Sequence, residues 1–167
     1  KGLDTDAILR HCRENQGWVK NFPGGEPITN EDLLVEPCDI LVPAALGGVI
    51  HEQNADRLRC RVVLECANGP TTPEADSILN EKGILALPDI LVNAGGVTVS
   101  YFEWVQDTEH YFWEESEVNT RLQKIMVRAF EEVNATATRE KVSLRAAGLM
   151  LGVSRVAEAK KLRGLYP

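Results

Sequence analysis

Three short apolar runs, each broken by small residues or proline and each followed by a helical pattern, restrict this chain to few folds. The first spans Cys38 to Val42 and gives way to Pro43-Ala44-Ala45-Leu46-Gly47-Gly48. The second spans Arg61 to Cys66 and breaks at Ala67-Asn68-Gly69-Pro70. The third spans Ile84 to Leu87 and ends at Pro88, with Asn93-Ala94-Gly95-Gly96 soon after. Continuous apolar strands alternating with helices indicate a parallel sheet covered on both faces, and hence an α/β fold. In such sheets ligands bind just beyond the carboxyl ends of the strands. Both asparagine-glycine loops lie there.

The helical segments carry their own punctuation. Asp4 is a candidate N-cap, with Ala7, Ile8 and His11 on one face and Gly17 as a stop. Thr29 or Asn30 caps a second short helix, which Pro37 ends. His51 to Leu58 forms a short link. Thr72 followed by Pro73 opens a helix that buries Ile78 and Leu79 and ends at Gly83. Asp89 to Asp107 is expected to be mainly helical, although Gly95 and Gly96 each cost about 1 kcal/mol there relative to alanine. That cost points to close packing or a ligand at this turn. Two helices complete the chain. Glu115 to about Glu140 places Val118, Leu122, Ile125, Val127 and Phe130 on one broad face. Ser143 opens the last, with Ala146, Ala147, Met150, Val153, Val156 and Ala157 at helical spacing. No internal repeat or low-complexity tract appears.

The length of 167 residues suits one domain. Eighteen basic against 25 acidic side chains, a net charge of −7, argue against a nucleic-acid partner. No apolar run approaches the ~20 residues that cross a bilayer, and no charged-then-apolar leader opens the sequence. The expected setting is the cytoplasm, where thiols stay reduced, with no membrane partner. The four cysteines, Cys12, Cys38, Cys60 and Cys66, form no C-x-x-C pair, so they read as reduced thiols, mostly in the core, and no metal site is expected.

The sequence lacks a G-x-G-x-x-G, so Gly24-Gly25, Gly47-Gly48 and Gly95-Gly96 do not qualify as a phosphate-binding turn. The small residues at 43–48 serve either a tight strand-to-helix turn or the close approach of a ligand. Asn68 and Asn93 are open to two readings. Each is a turn residue bonding its own backbone, or an amide that donates to and accepts from a ligand.

The runs ANGPTTPEAD and PDILVNAGGVTVSYFEW resemble the nucleotide-binding domain of glutamate dehydrogenases, within the glutamate, leucine, phenylalanine and valine dehydrogenase family. The resemblance extends from about Gly2 to Gly164 and covers only part of such an enzyme. It implies a partial Rossmann-like parallel sheet, made of the later strands and followed by two C-terminal helices. Residues 1–113 would be the later half of a dinucleotide-binding domain, and 114–167 a helical segment packed on it. The family's substrate domain and glycine-rich loop would precede Lys1. The Cys38–Val42 strand would then stand at an open sheet edge.

Carried over residue by residue, the resemblance implies that Ala44, Ala45, Asn68 and Asn93 bind the cofactor, NAD or NADP. Asn68 would sit near the nicotinamide ribose, and Asn93 near the carboxamide and the substrate amino group. Gly47-Gly48 departs from the larger polar residues often found there. Val97 and Ser100, one helical turn apart, would line the substrate pocket, with Ser100 bonding the glutamate side-chain carboxylate. The implied partners are L-glutamate, 2-oxoglutarate and ammonia, in a homo-hexamer. The implied catalytic lysines and aspartate lie in the substrate domain, so no catalytic residue is expected in this chain, which alone would be inactive. Two other readings stand beside this one: a leucine, valine or phenylalanine dehydrogenase, and a non-enzymatic nucleotide-binding or assembly module.

Overall fold

The computed structural model describes residues 2–164. The chain forms two compact units, 1–36 and 37–167.

The first unit holds two helices, and neither buries a residue. Helix α1 (Thr5–Glu14) begins at Asp4, whose carboxylate accepts the Ala7 N–H at 2.9 Å. It ends where the Gly17 N–H returns to the Cys12 carbonyl, a bend made at the left-handed φ of +87° that glycine accepts without strain. Helix α2 (Asn30–Leu34) is capped by Thr29. It stops three residues before Pro37, because the residue preceding proline already leaves the helical region.

The second unit is built on a three-stranded parallel sheet in the order β1-β2-β3, from Ile40–Leu41, Val62–Leu64 and Leu85–Leu87. Ile40 pairs with Val62 and Val63 with Ala86. Strand β1 is an edge of this sheet, and its Ile40 is 56% exposed. The strands are shorter than their apolar runs. The N–H groups of Cys66 and Ala67 both reach the Pro43 carbonyl, which ends β2 and ties its loop to the one after β1.

Helices α3 (Glu52–Ala55) and α4 (Pro73–Glu81) supply Ala55, Ala75 and Leu79 to a core completed by Ile50, Leu58, Val63 and Ile84. Thr72 caps α4, and Gly83 ends it at φ +71°. Helices α5 (Asp89–Val92), α7 (Glu115–Glu140) and α8 (Leu144–Arg163) form a second core from Leu91, Val133, Ala137, Leu144 and Ala147. Helix α6 (Ala94–Glu109) packs on α5 and α7. The single helix expected over 89–107 is thus two, divided at Asn93.

Helices α7 and α8 form a hairpin, turned at Lys141 in the left-handed region and recapped by Ser143. Burial concentrates beside the turn, at Val133, Thr136 and Ala137 and at Leu144, Ala147 and Gly148. The wider stripes read from the sequence are not core. Ile125, Val127 and Phe130 are exposed, as are Met150, Val153 and Val156. The cysteines are not core residues either: Cys38 and Cys66 are exposed, while Cys12 and Cys60 are partly covered, and all four are free thiols.

Candidate functional site

Loops after the three adjacent parallel strands meet at their carboxyl ends. The loop after β1 lies against the loop after β2 through the Gly48 N–H to the Gly69 carbonyl at 2.8 Å. Gly47 permits this approach, since a Cβ there would stand 3.0 Å from the Asn68 carbonyl oxygen and 3.3 Å from that of Gly69. The loop after β2 is fixed to the start of α5, where the Gly69 N–H donates to Asp89 Oδ2 at 2.7 Å.

This framework brings Asn68 and Asn93 together. Asn93 Nδ2 donates to Asn68 Oδ1 at 2.8 Å and to the Cys66 carbonyl at 3.3 Å. Neither asparagine side chain caps its own turn: Asn93 ends α5 and begins α6 without a side-chain bond to either helix. The amide reaches across to the neighbouring loop instead. Asn93 Oδ1 and Asn68 Nδ2 hold no hydrogen bond among the described residues, leaving one acceptor and one donor.

Ala44 and Ala45 are exposed on the loop after β1. Val97, 71% exposed, and Ser100 lie one turn apart on the open surface of α6. Thr98 returns its hydroxyl to the Ala94 carbonyl at 2.8 Å, and Thr108 does the same to Trp104. Ser100 makes no such bond among the described residues, so its hydroxyl is available to another group. A separate open hollow of about 690 Å³ between α6 and α7, lined by Phe102, Glu117, Arg121 and Ile125, contains none of these six positions.

A charge cluster built around one buried carboxylate lies behind the loops. Glu65, at the end of β2, is fully buried, and it accepts from Arg145 Nη2 at 2.5 Å. Arg145 Nε donates to Asp76 Oδ1 at 2.9 Å, and Nη1 stands 3.8 Å from Asp89 Oδ1. Burial works against the Arg145 charge, but the bonds to Glu65 and Asp76 outweigh it and hold the guanidinium above the ordinary arginine range. The other Glu65 oxygen accepts the Asp89 N–H at 3.0 Å. Sequence reasoning passed over this cluster. The available signal was Glu65 itself, a carboxylate at the end of an apolar strand that has to find a cation. Among the described residues, no three His, Cys, Asp or Glu side chains gather to hold a metal ion, and no helix is long and apolar enough to cross a membrane.

Comparison with known proteins gives these loops a context. The family model for glutamate/leucine/phenylalanine/valine dehydrogenases matches residues 1–164. A glutamate dehydrogenase of Thermotoga maritima is 52% identical over 167 residues, all of this chain and 40% of that protein. The chain therefore spans well under half the length of this relative. Among solved structures, the Leu-bound hetero-hexameric glutamate dehydrogenase of Thermus thermophilus superposes with a TM-score of 0.90 at 34% identity, over 99% of this chain and 39% of that one. The glutamate dehydrogenase of Peptoniphilus asaccharolyticus matches with a TM-score of 0.71 at 47% identity, over 75% of this chain and 32% of that one.

Proposed function

Because the chain belongs to the glutamate/leucine/phenylalanine/valine dehydrogenase family, we propose that it forms the later half of the dinucleotide-binding domain of an NAD- or NADP-dependent glutamate dehydrogenase. In this reading residues 1–113 carry that half-domain, and 114–167 are its C-terminal helical segment. The complete enzyme is a cytoplasmic hexamer that converts L-glutamate to 2-oxoglutarate and ammonia, reversibly. The cofactor, when bound, accepts the hydride from the substrate α-carbon.

This chain binds and orients. Ala44 and Ala45 present only methyl groups, so a cofactor can lie against the loop after β1. Asn68 Nδ2 donates to the nicotinamide ribose. Asn93 Oδ1 accepts from the carboxamide N–H or the substrate amino group. Val97 walls the substrate pocket, and Ser100 donates to the glutamate side-chain carboxylate. Proton transfer falls to the lysines and aspartate of the family's substrate domain, so the 167-residue chain by itself forms no reduced nicotinamide from glutamate.

One observation carries this reading. The 2.8 Å bond between Asn93 and Asn68 joins the loops of two adjacent parallel strands and leaves a donor and an acceptor at their carboxyl ends. Asn93→Ala in the complete enzyme is expected to lower kcat/KM, since one lost hydrogen bond contributes ~0.5–1.5 kcal/mol, and more where a buried partner is stranded. Unchanged kinetics with lowered thermal stability would reduce Asn93 to a turn residue. Ser100→Ala is expected to lower kcat/KM for glutamate far more than for norvaline, because a bond to a charged group contributes roughly 1.5–3 kcal/mol. Equal losses would remove the basis for preferring glutamate over an apolar amino acid.

A further inference from the structure

We propose that Arg145 is a positioning residue for the Asn68–Asn93 pair, setting the distance between the loop after β2 and the start of α5. What the pair binds rests on the cofactor reading above; how the pair is held does not.

The guanidinium reaches carboxylates on three different elements: Glu65 at the end of β2, Asp76 on α4 and Asp89 in the first turn of α5. Two of these carboxylates pass the connection on. Glu65 Oε2 accepts the Asp89 N–H at 3.0 Å, and Asp89 Oδ2 accepts the Gly69 N–H at 2.7 Å. Gly69 adjoins Asn68 and takes a left-handed φ of +55°, so its placement sets the direction in which Asn68 leaves the loop. On the other arm, the Asn93 N–H donates to the Asp89 carbonyl at 3.0 Å. Each asparagine is thereby referred to Asp89, and Asp89 to Arg145.

A stability role alone would be met by a single ion pair with Glu65. The arrangement seen here needs the planar fork, because one side chain donates to Glu65 and to Asp76 at once while its third nitrogen stands beside Asp89. Weakening its hold leaves the buried Glu65 poorly compensated, and Glu65 holds the Asp89 N–H while Asp89 holds the Gly69 N–H of the loop that carries Asn68.

Arg145→Lys in the 167-residue chain keeps the charge and removes the fork. Circular dichroism is expected to show a folded chain. Amide hydrogen exchange at Gly69 is expected to accelerate about tenfold or more, the size of a weakened bond to a charged acceptor. The Asn93 side-chain amide resonances shift, and the shifts that nicotinamide mononucleotide induces at Asn68 and Asn93 diminish. Gly69 exchange and Asn93 resonances identical to the parent chain overturn the inference, even with a lower Tm, because a purely structural role changes stability and leaves the pair in place. If neither NAD nor NADP moves an Asn68 or Asn93 signal in the complete enzyme, the cofactor reading fails, and Gly69 exchange still decides the positioning role. Should Arg145→Lys not fold, Asp76→Asn removes one anchor of Arg145 without touching Gly69 or either asparagine. Faster Gly69 exchange in that variant supports the inference, and unchanged exchange overturns it.

Discussion

The hairpin of α7 and α8 holds an arginine cluster at two places along its length, and the two behave as opposites. Near the turn, Arg145 is 23% exposed and meets a fully buried Glu65. Farther along, Arg128 and Arg155 both bond Glu132, but the two arginine side chains are 78% and 65% exposed. Ion type and contact distance are similar, and solvent is what differs. Around Glu132 water screens the charges, and the pairing adds little. Around Glu65 water is excluded, so an unpaired carboxylate is costly and the whole cluster must stay assembled. The apolar surface follows the same division: Leu144 and Ala147 are buried beside Arg145, while Val153 and Val156 near Arg155 are 68% and 70% exposed.

The largest expected effect comes from breaking the buried cluster. Arg145→Met strands Glu65 and should cost about 3–5 kcal/mol of unfolding free energy in urea denaturation. A loss below ~1 kcal/mol would show that water reaches Glu65 and that the two clusters are alike. Gly47→Ala comes second. It places a methyl group 3.0 Å from the Asn68 carbonyl oxygen and 3.3 Å from that of Gly69, so the two loops must move apart by a few tenths of an ångström, and it should cost about 1–3 kcal/mol, with amide shift changes centred on residues 67–70. No change there would mean that the loops are not held together as tightly as their 2.8 Å bond implies.

The smallest effect is expected at the exposed cluster. Hydrogen bonding from Arg128 first, aided by both arginine charges, holds the Glu132 carboxyl below the usual glutamate range. A depressed carboxyl contributes stability above its unfolded value, and that contribution is lost as pH falls through the folded one. Because Glu132 faces water, Glu132→Gln should leave the denaturation midpoint at neutral pH unchanged within error, and the acid limb nearly so. A clear drop in the midpoint would place hidden burial at this end of the hairpin and erase the contrast with Arg145.

The division between what was legible and what was not follows the range of each interaction. Caps act within three or four residues, so Asp4, Thr29, Thr72 and Ser143 were readable in advance, and each accepts the expected N–H. The apolar runs located all three strands, and periodicity located the helix Glu115–Glu140. Asn68 and Asn93 could be named as candidates from their motifs. Their bond could not, because it closes over 25 residues and depends on how two loops leave one sheet.

Interactions of long sequence separation were decided only by the tertiary structure. Arg145 and Glu65 are 80 residues apart, and although Glu65 at the end of an apolar strand calls for a cation, nothing near it names which one. A helical stripe of apolar residues declares that a face is available for burial, but the elements packed against it decide how much of it is used. Hence Ala147 is in the core while Val156, from the same pattern, is in water. Cys38 and Cys66 are exposed for a related reason. Apolar character gave them a preference for the interior, and their places at the two ends of short strands removed the neighbours that would have covered them.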